Sequence, residues 1–238
     1  MRLKEVTTQL AATRWIVRSF ATDLRYGGLL TGAVETRHRH LGSHNVVNSP
    51  YSVLPHIFAG RIGPRDVLVD VGCGKGRVIN WWLSQGVRND IVGIEINPEV
   101  AARTAKRLRR HPNVTIVSGD ATTAIPSDAT LLYMYSPFDR PAMQRFKTVL
   151  AERFARRGIT LLYWNAGYLD VFRGDPDWRV ETIPLDQVRD PRIGGSHAYY
   201  AAVSLRPRVR RFGRYAAGAP PTTSESMRSR PWGPQRGG

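Results

Sequence analysis

Asp70, Gly72, Gly74 and Gly76 fall at alternate positions in a short run that follows the apolar stretch Val67-Leu68-Val69. A buried strand that runs into a glycine loop and then a helix offers a ligand two things. The glycines let the backbone turn sharply and come close to it, and the helix start presents free N–H groups. A nucleotide-like molecule fits such a carboxyl edge of a sheet. The dinucleotide fingerprint G-x-G-x-x-G does not fit the run. Started at Gly72 it needs glycine where Arg77 stands, and started at Gly74 it needs glycine where Ile79 stands. Two more acids stand at the ends of later apolar stretches. Glu95, followed by Ile96, closes the second, where a carboxylate accepts two hydrogen bonds from a ribose diol. Asp120, followed by Ala121, closes the third, where it also suits the cap of a short helix. Cys73 lies inside the glycine loop. With no base suggested to activate it, it reads as a small filler.

A fourth apolar stretch ends in Tyr133-Met134-Tyr135-Ser136-Pro137-Phe138-Asp139. If the group that reacts there is an ammonium, it must first lose a proton, and Asp139, Tyr135 or water can take it. Tyr133, Tyr135, Phe138 and Trp164 form an aromatic set that favours a cationic partner, although some of these rings must belong to the core. Asn165, after the next strand, is a further pocket residue. His38, His40 and His44 cluster without an accompanying Cys or carboxylate, so no metal site is expected.

The run from Asp70 to Gly76, with Glu95 and Asp120-Ala121 following in order, resembles the motifs of the class I, seven-strand, S-adenosylmethionine-dependent methyltransferases. The resemblance covers about residues 50–205. It implies S-adenosyl-L-methionine as cofactor. Asp70 would help hold its methionine part, Glu95 its ribose, and Asp120 with the Ala121 backbone its adenine. Gly72, Cys73, Gly74, Gly76, Ile96, Tyr51 and Tyr135 would complete the cofactor-binding set. Ser136-Pro137-Phe138 resembles the (Asn/Asp/Ser)-Pro-Pro-aromatic motif of amino methyltransferases, with the second proline missing. That implies a nitrogen acceptor and a reaction centre at Tyr135, Ser136, Pro137, Phe138 and Asp139. Asn48-Ser49-Pro50-Tyr51, with Pro55 and the Pro137-Phe138 pair, is similar to a bacterial group distantly akin to seven-strand protein-lysine methyltransferases. By that likeness Tyr51 sits beside the cofactor or lines the substrate channel.

Positioning these residues takes an alternation of strands and helices. Short apolar stretches without polar alternation predict strands buried on both faces at 66–71, 91–96, 114–118, 129–135 and 159–164, with two more at about 178–184 and 197–205. Helices are predicted at about 50–60, 76–85, 98–111 and 140–156. The class is α/β: a Rossmann-like, seven-stranded mixed sheet flanked by helices, its last two strands an antiparallel pair. Leu3, Val6, Leu10, Thr13, Val17, Phe20 and Leu24 recur at steps of three and four, which predicts a helix packed on the domain through that stripe, with a helix lying on a membrane surface as the alternative. The expected organisation is an N-terminal helix and lid at 1–49, a cofactor-binding domain at 50–205 and a tail at 206–238. The tail is rich in Arg, Pro, Gly and Ser and is expected to be disordered.

The chain has 238 residues, a single Cys and a net charge of +16, of which residues 206–238 carry +7 and residues 1–45 carry +4. One Cys excludes an intrachain disulfide and a Cys-based zinc site. No apolar run approaches the length of a membrane span and no secretory signal is evident, so a cytoplasmic protein is expected. The basic ends attract polyanions, which keeps RNA open as an acceptor beside a protein side chain or a small molecule. A non-catalytic cofactor-binding or scaffold protein is the reading from another class, and the intact Asp70, Glu95 and Asp120 argue against it.

Overall fold

The computed structural model describes residues 16–35, 39–45, 47–188, 190 and 193–207. Seven strands form one sheet: β1 (Leu68–Val71), β2 (Ile91–Glu95), β3 (Val114–Ser118), β4 (Leu131–Tyr135), β5 (Ile159–Trp164), β6 (Trp178–Pro184) and β7 (Tyr199–Leu205). Their order is β3-β2-β1-β4-β5-β7-β6. The pairs among β1 to β5 are parallel, and β7 runs antiparallel to both β5 and β6. The order reverses between β1 and β4, which opens a crevice at their carboxyl ends where α/β sheets take ligands.

Both faces of the sheet are covered, so strand residues go alternately to two cores. Val69, Val71, Leu132 and Met134 join one core with Phe146, Leu150 and Phe154. Leu68, Leu131 and Tyr133 join the other with Ile57, Phe58 and Trp82. Helix α3 (Arg77–Ser84) follows β1, α4 (Pro98–Leu108) follows β2, α5 (Ala121–Ala124) follows β3 and α6 (Arg140–Arg153) follows β4. Each of α4, α5 and α6 starts on an acid or amide cap that accepts from the first turn: Asn97, Asp120 and Asp139. On β2, the strand next to the β3 edge, Gly93 leaves no room for a side chain, because a Cβ there would stand 2.7 to 2.8 Å from Ile116, Cys73 and Ile79.

Several expected boundaries shift. The helix expected at 50–60 is the five-residue α2 (Leu54–Phe58), closed by Gly60 at φ +64°, a conformation that ends helices. The strand expected from 197 starts at Tyr199, because Gly195–His197 form a 3-10 turn.

The larger correction concerns the N-terminal stripe. Residues 16–25 are helical (α1), while Leu3, Val6, Leu10 and Thr13 lie outside the described residues. Val17, Phe20 and Leu24 do not pack on the domain; they are 60, 40 and 61% exposed. The buried side chain of α1 is Asp23, at 0%. The helix is docked through a polar node, for the reason given below. The tail from residue 208 onward also lies outside the described residues. Among the described residues no helix is long and apolar enough to cross a membrane.

Candidate functional site

The glycine loop after β1 takes left-handed backbone at each of its three glycines. Gly72, Gly74 and Gly76 have φ of +74°, +51° and +73°, angles that side-chain-bearing residues rarely adopt. Space is equally tight. A Cβ on Gly72 would come within 3.0 Å of Pro137, and one on Gly76 within 3.0 Å of Arg107 and Thr104. The loop is tied to its neighbours by its own N–H groups. Gly72 and Cys73 each donate to the Ile94 carbonyl at 2.9 Å. Gly74 N donates to Glu95 Oε2 at 2.9 Å, and Asn97 N donates to Glu95 Oε1 at 2.8 Å. The Glu95 carboxylate therefore brackets the glycine loop and the start of α4, besides facing the cleft.

Asp70 is the site's electrostatic peculiarity. It is 2% exposed, its Oδ2 has no hydrogen-bond partner among the described residues, and Glu95 stands near. Burial first, and the Glu95 charge second, push its carboxyl up to about 8. Burial likewise raises the Cys73 thiol well above its ordinary value, helped by Asp70 and Glu95. Cys73 belongs to an apolar core against Ile79, the place of a filler rather than of a nucleophile.

One cleft gathers most of the residues read from the sequence. Asp70, Gly72, Cys73, Glu95, Ile96, Asp120, Ala121, Tyr135, Pro137 and Phe138 line it. Asp120 does so while its Oδ1 accepts from Thr122 N at 2.8 Å. Ser136 and Asp139 line an adjoining pocket, together with Tyr135 and Asn165. Gly74 and Gly76 shape the loop behind the cleft. Tyr51 does not line either pocket: it is buried, and its hydroxyl donates to Asp23 at 2.7 Å. Burial, with that bond, raises its phenol above the usual value.

The roof of the cleft comes from the N-terminal segment. Asp23 accepts from three donors: Tyr51, Leu30 N at 3.1 Å and Arg77 at 2.8 Å. Arg77 also donates to the Leu30 carbonyl at 3.0 Å and lies over the Tyr51 ring at 5.2 Å. Lys75, in the glycine loop, donates to the Thr31 and Gly32 carbonyls. Arg107 reaches the Tyr26 carbonyl at 2.6 Å and the Lys75 carbonyl at 2.6 Å. This convergence buries Asp23 and leaves the apolar stripe of α1 outside.

A second attachment lies at the acceptor end. Asp139 N donates to Gly42 O at 2.7 Å and His44 N to Pro137 O at 2.9 Å. His44 Nδ1 lies 2.9 Å from Ser136 O. Ser136 (φ +40°) and Asn165 (φ +51°), at the ends of β4 and β5, are the two non-glycine residues with positive φ among the described residues. Such strain collects at functional sites. Tyr135 stacks on Trp164 at 4.4 Å, and its hydroxyl lies 2.9 Å from His197 Nε2. Phe138 packs on Phe146 at 5.1 Å, and Asp139 caps α6 through Ala142 N at 2.9 Å.

His44 was legible in the sequence only as part of a histidine cluster. Among the described residues no group of three His, Cys, Asp or Glu is placed to hold a metal ion, and His38 lies outside them. His44 instead stands in the wall shared by the two pockets. Asp23 and the cations Lys75, Arg77 and Arg107 were not read as roof contacts. No sequence pattern pairs them.

Comparison with known proteins matches residues 68–155 to a family described as a methyltransferase domain. This stretch is a methyltransferase domain. It contains the glycine loop, Glu95, Asp120 and the Ser136–Asp139 segment. A probable cobalt-precorrin-6B C(15)-methyltransferase (decarboxylating) of Methanothermobacter thermautotrophicus is 44% identical over 66 residues, which cover 26% of this chain and 33% of that one. The chain thus spans about a third of that relative's length. An RNA methyltransferase from Salinibacter ruber, solved in complex with S-adenosyl-L-homocysteine, superposes with a TM-score of 0.50 at 21% identity. The superposition covers 69% of this chain and 97% of that one. Residues 68–205 thus form a Rossmann-like, seven-stranded mixed sheet, the fold of that solved methyltransferase.

Proposed function

We propose that the chain is an S-adenosyl-L-methionine-dependent methyltransferase that methylates a nitrogen of a protein side chain or small molecule. The observation that carries the reading is Asp70. A buried carboxylate with an unpartnered oxygen in a cleft calls for a cationic ligand group, and the cofactor's methionine part offers an ammonium. Glu95 suits the ribose hydroxyls, and Asp120 with the Ala121 backbone suits the adenine edge. The glycine loop lets the backbone lie close to the ligand. When bound, the cofactor supplies a methyl group already activated on a sulfonium.

The protein's task is then alignment and proton removal. Tyr135 lines both the cleft and the adjoining pocket, Phe138 the cleft, and Tyr135, stacked on Trp164, offers a ring face to a cationic acceptor. The Ser136 and Pro137 carbonyls each accept from His44 already. With Nδ1–H donating to Ser136 O, Nε2 carries the lone pair. His44 is therefore the group placed to take the proton that a nitrogen nucleophile sheds. Of the three sequence-based alternatives, Asp139 spends Oδ1 on its helix cap and the Tyr135 hydroxyl is engaged with His197, which leaves water.

An RNA acceptor is the second reading, supported by the net charge of +16. A cytoplasmic setting goes with either. Calorimetry with S-adenosylhomocysteine tests the cofactor site, and absence of heat at high ligand concentration removes both readings. Tritiated methyl transfer into a lysate fractionated into protein, RNA and small molecules then identifies the acceptor class. Binding without transfer to any fraction favours a non-catalytic cofactor-binding protein.

A further inference from the structure

Every large apolar side chain that stands exposed among the described residues lies between residues 16 and 47; none lies in the sheet domain. Two of the seven, Leu41 and Val47, line the cleft. The other five are Ile16, Val17, Phe20 and Leu24 on α1 and Leu29 just after it, between 40 and 61% exposed. At helical spacing the four on α1 share an arc of about 100°. Arg18 and Arg25 lie on the arc opposite.

Arg25 also belongs to a second feature. It lines a basin with Arg103, Lys106, Arg109 and Arg110, over the Tyr26 and His111 rings. Those two rings lie 5.5 Å apart. No residue lining the basin is acidic, and the acid beside it, Glu99, sits 3.8 Å from Arg103 in a fully solvated i,i+4 pair. The polar arc of α1 thus runs through Arg25 into a cationic basin, while the apolar stripe occupies the other arc.

We infer that α1 and this basin dock the protein on the surface of an anionic lipid bilayer. Charge complementarity selects this occupant. A second copy packed stripe to stripe would bring together two molecules that each carry a net charge of +16 and would leave the basin unanswered. A nucleic acid would answer the basin and leave the stripe in water. Anionic headgroups answer the cations, while the headgroup–acyl boundary takes the stripe. Upstream of α1 the sequence adds Arg2, Lys4 and Arg14, which strengthens the attraction. The contact is peripheral, since no helix of the described residues is long and apolar enough to cross a membrane. Buried Asp23, on the inward side of α1, ties the docking helix to Arg77 at the start of α3.

The test uses the full chain and sedimentation with two vesicle types, phosphatidylcholine alone and phosphatidylcholine mixed with phosphatidylglycerol. The mixed vesicles are expected to bind the protein at least about tenfold more tightly than the neutral ones, and salt is expected to weaken that binding. Phe20→Asp with Leu24→Asp, and separately Arg109→Glu with Arg110→Glu, are each expected to cost about tenfold or more. Calorimetry with S-adenosylhomocysteine, expected unchanged in both variants, shows that the fold and the cofactor site persist. Equal affinity for the two vesicle types, no binding to either, or a Phe20→Asp/Leu24→Asp variant that binds as well as the parent would overturn the proposal. So would a dimer seen by light scattering that this variant abolishes without any vesicle binding. RNA binding lost only with Arg109→Glu/Arg110→Glu, in a protein that ignores vesicles, would assign the basin to nucleic acid instead.

Discussion

The floor and the roof of the cleft are built by different means. The floor is the carboxyl edge of β1 to β4, where strand register fixes each residue to within a side chain's width. Its acids serve the backbone as well as the cleft: Glu95 holds Gly74 and Asn97, and Asp120 caps α5. The roof, described at residues 26–35, 39–45, 47 and 48, has little regular structure there. It is held by Asp23, by the cations Lys75, Arg77 and Arg107, and by His44. The floor residues are placed by strand register and the glycine loop, whereas the roof hangs on a few polar contacts that single substitutions remove. The two should therefore fail differently.

The largest effect is expected on the floor. Gly74→Asp puts a side chain at φ +51° and a third carboxylate beside Asp70 and Glu95. Strain and like-charge repulsion together should weaken S-adenosylhomocysteine binding by more than about a hundredfold. Calorimetry reads this directly, and an affinity within tenfold of the parent would mean that the loop does not hold the cofactor.

At the junction of roof and floor, His44→Ala should leave cofactor affinity nearly unchanged while slowing methyl transfer by about 10²- to 10⁴-fold, the range for a positioned proton acceptor. Single-turnover rates against calorimetric affinity separate the two effects. A parent-like rate would return the role to Asp139 or water.

The floor was largely legible in the sequence, because it is made where short apolar stretches end. β1 to β5 and the acids Asp70, Glu95 and Asp120 follow from runs of four to six residues read locally. The roof was not, because its contacts link distant segments without a period. His44 meets a carbonyl 92 residues away, and Tyr51 meets Asp23 at a separation of 28. The stripe on α1 shows the limit most plainly. Periodicity reveals which face of a helix is apolar, not which face the fold buries, and here three donors drawn to Asp23 decided that.

That node gives the roof's own prediction. Asp23→Ala strands the guanidinium of Arg77, whose side chain is 13% exposed, and leaves Leu30 N and the Tyr51 hydroxyl without their acceptor. Breaking a buried pair in this way costs about 3 kcal/mol. Denaturant unfolding should show the loss, and Arg77→Met in the Asp23→Ala background should recover part of it. A cost below about 0.5 kcal/mol, the level of a surface pair, would mean that the roof is held by something else.

The smallest effect is the most diagnostic of the floor's charge. Asp70 titrates at about 8 in the folded chain, against an ordinary 3.8. Between those values the folded state keeps a proton that the unfolded state has lost. Ligand-free stability should therefore fall as pH rises through that window, with the penalty complete above about 8. A cationic ligand reverses the preference by demanding the ionised carboxylate. Binding near pH 7 should then release up to about one proton, and affinity should rise with pH between about 6 and 8 by at most about tenfold per unit. Calorimetry in buffers of different ionisation heat counts the proton. Asp70→Asn should abolish the release, stabilise the ligand-free protein at pH 8 and weaken binding. Buffer-independent heats in the parent would show that Asp70 is already ionised before the ligand arrives, and the argument from an unpaired buried carboxylate to a cationic ligand would fail with it.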